Sequence, residues 1–278
     1  MALGFILSLR SDELFGDTSF VGMEHYLQLP RDSRFLHALS NTIIYCGLSL
    51  VLILPAALSL AHLLRRAPDR LRGPLQFFLL LPGLTPPLVL ALLYLLVFNG
   101  PHGILNAVMM KPLGLPNADW IRDPRLIKIS LAMLQLWRWS GFIALIFQAG
   151  LEGVPRAYFD TAKTEGATAW KLFLHVTLPS LKPVTAFVAA FLFLDAFVLF
   201  EGAYVLLGNS GGTLDAGLLL VSYSYYTAFT LGNFGSAAAM AFASLPLIMF
   251  ALWLLLRTAG NTQRGTVFSG KPPRLEAV

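Results

Sequence analysis

Ionisable side chains are rare in the apolar stretches of this chain, which singles out Arg138 in LQLWRWSGF and Asp195 in FLFLDAFVLF. A charge in hydrocarbon is costly and usually faces a cavity or a partner. Each lies about 12 residues into its stretch, so at 1.5 Å per residue both sit about 18 Å deep on a helix. Two roles fit that depth: a structural ion pair, within the chain or with a sister subunit, or the polar wall of a path. Glu201, nearer the end of the same stretch as Asp195, can reach the surface by snorkelling. Trp137 and Trp139 flank Arg138, Gln135 precedes it by one helical turn, and Tyr223, Tyr225, Tyr226 and Asn233 precede the last apolar stretch. Aromatic faces beside polar groups suit sugar rings, whose C–H faces are apolar. For the tyrosines an interfacial aromatic belt is the simpler account. The candidate path is therefore Gln135, Arg138, Trp139, Asp195, Tyr223 and Asn233.

The second unusual place is DTAKTEGATAWKLFLHVTLPSLKP, residues 160–183, lying between two apolar runs. Pro155 suits the first position of a helix and Gly166 its C-terminal stop. Phe159 and Ala162 are three apart and share one side of that helix; Asp160, Lys163 and Thr164 lie on another. After Gly166 and Ala167 a second short helix presents Trp170, Phe173 and Leu174 on one face, and Leu178–Pro179 ends it. A glycine corner allows a sharp bend or close backbone approach. One reading is an amphipathic loop resting on lipid head groups. The other is a docking surface, which gives the order Asp160, Glu165, Gly166 a purpose that the first reading leaves unexplained.

Other chemistry is not indicated. The sequence has no G-x-x-x-x-G-K-[ST] phosphate loop and no H-E-x-x-H. His25, His37, His62, His102 and His175 are scattered without ligand spacing. The single cysteine, Cys46, lies in an apolar run and permits no internal disulfide. No catalytic residue, metal or cofactor is expected in this chain.

These groups must be positioned by membrane helices. Of the 278 residues 56% are hydrophobic and 13% charged, about half the charge of a soluble domain. The net charge of +5 does not point to nucleic acid, because the basic residues gather in short loops. A span needs about 20 apolar residues. Five stretches qualify: Ile43–Leu64, Leu75–Phe98, Leu126–Leu151, Val184–Leu207 and Gly235–Leu256. Met1–Leu9 is too short and reads as the tail of a span or an interfacial piece. Arg65, Arg66, Arg70 and Arg72 fill one loop, Arg156, Lys163, Lys171 and Lys182 another, and Arg257, Arg264, Lys271 and Arg274 the tail. The positive-inside rule puts all three in the cytoplasm. The expected organisation is a partial first helix and extracytoplasmic segment over 1–39, a transmembrane domain over 40–256 with a cytoplasmic loop at 152–182, and a cytoplasmic tail at 257–278 whose SGKPPRLEAV end is frayed.

The 160–183 segment resembles the cytoplasmic signature loop of permease subunits of binding-protein-dependent ABC importers. That pattern is roughly E-A-A-x-x-x-G-A followed by F-x-x-I-x-L-P. Here it reads Asp160-Thr161-Ala162-Lys163-Thr164-Glu165-Gly166-Ala167, then Phe173 to Leu178-Pro179. Asp160 stands for Glu and Thr161 for Ala. VGMEHYLQL (with His25 where the family has Asn), ALSNTIIYC, FFLLLPGLTPPLV, GILNAVM, IFQAGLEGVPRAYFDTA and FGSAAAMA follow in the family's order. The chain is most similar to the carbohydrate-uptake subgroup, for maltose, other oligosaccharides or glycerol phosphate, which usually has a complete first span.

The resemblance implies an all-α polytopic membrane protein of the type I importer permease fold, with five full spans plus a short N-terminal helix. It implies a multi-pass protein of a prokaryotic plasma membrane with its C-terminus in the cytoplasm. The expected partners are a second permease subunit, two copies of a cytoplasmic ATPase that bind the ATP and Mg, an extracytoplasmic solute-binding protein, and the lipid bilayer. The ATPase-coupling residues would be Phe159, Asp160, Ala162, Glu165, Gly166, Ala167, Trp170, Phe173, Leu178 and Pro179. The G-G-T at 211–213 matches a family loop that faces the binding protein, without its proline. The competing functions are a proton-coupled secondary transporter using Asp195 and Glu201, and a membrane-embedded transferase. Neither needs a docking loop.

Overall fold

The computed structural model describes residues 2–11, 19–164, 166–209 and 211–266. A short N-terminal helix, α1 (Ala2–Leu7), leads into a two-residue antiparallel ladder of β1 (Arg10–Ser11) and β2 (Ser19–Phe20), then α2 (Glu24–Gln28). The main helices follow: α3 (Ser33–Arg66), α4 (Asp69–Leu84), α5 (Pro87–Phe98) and α6 (Ile127–Glu152). Then come α7 (Arg156–Thr164), α8 (Ala169–Leu172), a π turn at Phe173–Thr177, α9 (Leu178–Ser180) and α10 (Lys182–Phe197). The chain ends with α11 (Glu201–Leu207), α12 (Leu220–Tyr225), a π turn at Tyr226–Thr230 and the long α13 (Phe234–Thr266).

Local chemistry sets the ends of these helices. Asp32 caps α3, its carboxylate accepting from the Arg34 and Phe35 amides at 2.9 and 3.1 Å, as an N-cap acid should. Arg65 and Arg66 occupy its last turn, where cations oppose the helix dipole, and Ala67-Pro68 stops it. Asn233 does the same service for α13: its side chain accepts from the Ser236 amide at 2.9 Å.

Three helices, α3, α6 and α13, are each long and apolar enough to cross a membrane, and two bent pairs bring the total to five among the described residues. The second expected span, Leu75–Phe98, falls on α4 plus α5, which are bent by 98°. The cause is Thr85-Pro86-Pro87: residues before proline are driven out of the α region, and Thr85 and Pro86 both adopt extended ψ values of 134° and 135°. The expected stretch Val184–Leu207 is likewise interrupted, at Val198–Phe200, and α11 beyond the break packs on α5. Nor does Pro179 end the second loop helix. The helical path runs through it to Ser180 and bends by 65° into α10. Pro155 stands just before α7 rather than in it, and α13 continues past Leu256 to Thr266. The expected frayed tail lies outside the described residues.

The core is α3 packed along α6, with α10 against α3 and α13, and α4 against α6. Its apolar side chains form two clusters. One joins the N-terminal halves of α3 and α6 to α5, α12 and the end of α10, around Phe35, Tyr45, Leu90, Phe98, Leu131, Phe197 and Leu218. The other joins the C-terminal halves of α3 and α6 to the start of α10, around Ile53, Ala57, Phe147, Leu181, Val188 and Leu192. The first marks the end bearing loop 208–219; the second marks the basic end. The backbones of α4 and α6 touch at Gly141, where a β-carbon would collide with the Leu79 carbonyl.

Candidate functional site

Between the two apolar clusters lies a layer of polar side chains. Gln135 and Trp139 stand at i and i+4 on α6 and so share one face, with Arg138 at its side. Asp195 meets that face from α10. Its Oδ2 accepts from the Trp139 indole Nε1–H at 2.7 Å and from the Gln135 amide. The Trp139 ring is fixed edge-on by Phe191, with centroids 4.9 Å apart, and by Phe142 at 5.6 Å. Arg138 lies over the Trp139 ring, its Cζ 4.8 Å from the centroid. Tyr45 and Ser49, both fully buried, border the layer from α3. Gln135 Oε1 and Arg138 Nε are buried and make no hydrogen bond within the described structure. Unmet polar groups in a dry interior are expensive, so this layer offers donors and acceptors to water or to a polar solute beside an aromatic wall.

The Arg138–Asp195 ion pair expected from their equal depth does not form. The ion pairs among the described residues are Arg34–Asp215 and Arg72–Asp69. Depth fixes height in the bilayer but not azimuth: Trp139, one residue on from Arg138, takes the place facing Asp195. Glu201 is exposed at the first turn of α11, with no described bond to Asp195.

At the basic end, α7 and α8 make the corner foreseen in the sequence. The Ala167 amide donates to the Ala162 carbonyl at 2.9 Å and the Gly166 amide to Lys163 at 3.0 Å. This is the paired closure of a Schellman stop. Gly166 has φ +77°, and nothing lies within 4 Å of the point a β-carbon would occupy. The glycine therefore serves backbone conformation and not close approach. Ala162 is buried, Phe159 half-buried, Asp160 exposed. Trp170 is 67% exposed and stacks on Phe173 at 5.7 Å. Thr168 caps α8. Ala167 and Pro179 are half-buried and Leu178 is 38% exposed. Glu165 lies outside the described residues.

At the opposite end, Tyr223 and Asn233 are tied into structure. The Tyr223 hydroxyl donates to Asp32 Oδ2 at 2.7 Å, and burial, then this bond, raises its phenol above the ordinary range. It therefore keeps the proton it donates. Arg34 grips Asp215 through two bonds of 2.8 and 2.9 Å and packs over the rings of Tyr223 and Tyr226. Leu214 and Asp215 both have φ +55°, a region unfavourable to side chains, and Leu214 projects outward, 81% exposed.

Two asparagines carry more of the architecture than the sequence reading assigned them. Asn41, in ALSNTIIYC, donates to the carbonyls of Asp215 and Leu218 at 2.9 and 3.2 Å, and its neighbour Thr42 accepts from the Leu220 amide at 2.9 Å. Asn106, in GILNAVM, is fully buried. It donates to the carbonyls of Gly100 and Ala118 and accepts from the Ala118 amide and the Trp120 indole. An amide inside an apolar run was the available signal, since such a group must be satisfied when buried.

Comparison with known proteins gives a consistent picture. Residues 53–258 match the family described as binding-protein-dependent transport system inner membrane component. The chain is 33% identical over 259 residues to the arabinooligosaccharides transport system permease protein AraP of Bacillus subtilis, covering 92% of this chain and 81% of that protein. It is 28% identical to the trehalose/maltose transport system permease protein MalF of Thermococcus litoralis, over 88% of this chain and 82% of that one. Among solved structures it is similar in fold to a chain of a bacterial ABC transporter involved in the import of alginate, with a TM-score of 0.77, 20% identity, and coverage of 95% and 89%.

Proposed function

We propose, since this chain belongs to the family of binding-protein-dependent transport system inner membrane components, that it builds half of a translocation path for a sugar or related solute. It is driven by an ATPase seated on loop 152–182. The permease is a multi-pass membrane protein. A second permease subunit completes the path, two ATPase copies bind ATP and Mg, and an extracytoplasmic binding protein delivers the solute near loop 208–219. The basic end and the C-terminus lie in the cytoplasm, in accord with the distribution of lysine and arginine.

The observation that carries this reading is the corner at Gly166. Two short helices, joined through a Schellman stop at Gly166 and the Thr168 cap, expose Asp160 and Trp170 at the end where the α3–α6–α10 core finishes. A helix transmits a push, and a firm stop fixes its direction. Ala162 anchors the corner inward, while Phe159, Trp170 and Phe173 supply apolar contact to an ATPase groove. The substrate class rests on the relatives, named for arabino-oligosaccharides and for trehalose and maltose. The polar layer is chemically suited to it: Gln135 and Asp195 can exchange hydrogen bonds with hydroxyl groups, and Trp139 and Phe191 offer apolar faces.

The test is reconstitution in proteoliposomes. The chain alone should move no sugar. With a second permease, the ATPase, internal ATP and loaded binding protein, uptake should appear. Uptake by the single chain driven by a proton gradient would sink the proposal, in favour of a relay through Asp195 and Glu201.

A further inference from the structure

The elbow between α3 and α4 is neither core nor part of the candidate path. Arg65, Arg66, Arg70 and Arg72 fall within eight positions there. Arg65, Arg66 and Arg70 are exposed, and none of the three makes an ion pair within the described structure. Arg72 plays a different part. Its Nη2 donates to the Arg65 carbonyl at 3.4 Å and lies 3.5 Å from Asp69, bracing the turn. Asp69 is the only acid on the elbow, and Glu152, at the end of the adjacent α6, is engaged by Gln148 at 3.0 Å.

Directly below the arginines both helices turn bare apolar side chains outward. On α3 the exposed Leu63 lies one turn below Arg66. On α4, Leu71, Leu75 and Phe78 form an i, i+4, i+7 stripe, and Phe77 lies two turns below Arg70; all four are exposed. No residue of α4 is buried. A patch with cations at its rim and exposed apolar side chains beneath fits a molecule that is anionic at one end and hydrocarbon along its length. A soluble protein would meet only the rim.

We propose that this elbow is a binding site for an anionic phospholipid, with Arg66 and Arg70 on the phosphate and the acyl chains along Leu63, Leu71, Leu75 and Phe78. The proposal rests on the membrane-spanning reading of α3 and α4. Each basic residue at an anionic lipid surface contributes about fivefold in affinity, so removing both arginines should weaken binding roughly 25-fold. The experiment measures binding of phosphatidylglycerol and phosphatidylcholine to the purified complex in detergent. The wild type should prefer phosphatidylglycerol, and excess inorganic phosphate should not displace it. Arg66→Gln with Arg70→Gln should lose the preference, while Arg66→Lys with Arg70→Lys should keep most of it. If the glutamine variant binds phosphatidylglycerol as the wild type does, the proposal is overturned. It is equally overturned if that variant sheds the ATPase with lipid affinity unchanged, for then a protein covers the patch. The readout is lipid affinity, so its failure is distinct from a failure of the permease reading, which is read in transport.

Discussion

Replacing Gly166 isolates the backbone contribution to coupling, because φ is +77° and the space around a β-carbon is open. An L side chain in the left-handed region costs about 1–2 kcal/mol. At about 1.4 kcal/mol per factor of ten, Gly166→Leu should lower the capped-to-open equilibrium constant of the corner about 5- to 30-fold. The amide bonds from Ala167 to Ala162 and from Gly166 to Lys163 then open more often. Hydrogen exchange at those two amides should accelerate by the same factor. Asparagine tolerates this backbone region better than other side chains, so Gly166→Asn should stay within a few fold of the wild type. In the reconstituted complex, Gly166→Leu should insert and receive the loaded binding protein, yet lose most stimulation of ATP hydrolysis, while Gly166→Asn keeps it. Equal loss in both variants would refute the backbone argument, since open space leaves size nothing to clash with. Full stimulation with Gly166→Leu would make the loop a surface anchor only.

Further outcomes follow from the same geometry. Trp139→Phe keeps the ring but removes the donor to Asp195, and should lower the stability of the complex by about 1–3 kcal/mol in thermal unfolding; no change would mean that water replaces the indole freely. In a double-mutant cycle Trp139→Phe and Asp195→Asn should be strongly non-additive, while the coupling of Arg138→Gln to Asp195→Asn, reaching the carboxylate only through the Trp139 ring, should be smaller; the reverse order would restore a direct Arg138–Asp195 pair. Gly141→Ala should force α4 off α6, measurable as lost crosslinking between cysteines placed at Gln76 and Gln148, whose side chains now bond at 3.1 Å. Asp160→Ala, at an exposed position, should weaken ATPase affinity only modestly in a pull-down, and complete loss of the ATPase would show that acid to be central.

Composition and pattern determined much of this protein before any coordinate. Long apolar runs in a chain with so few charges leave membrane helices as the satisfied state for the backbone. Three arginine- and lysine-bearing segments carry the proposed cytoplasmic sidedness. The order of acid, glycine and Leu-Pro at 160–179 located the corner, because a left-handed helix stop selects glycine by a local rule. Tertiary structure decided what depends on direction around a helix axis and on packing between distant segments. Hydropathy measures length, so it could not give the 98° by which one apolar stretch bends at Thr85-Pro86-Pro87. Nor could it see that another breaks at Val198–Phe200 without proline or glycine. Equal depth paired Arg138 with Asp195 on paper, but azimuth gave Asp195 to Trp139 and Gln135. Tyr223 and Asn233 carry polar groups that suit a ligand, and the fold uses them on Asp32 and on the first turn of α13. The bond from Arg34 to Asp215 spans 181 positions, a separation that no local pattern encodes.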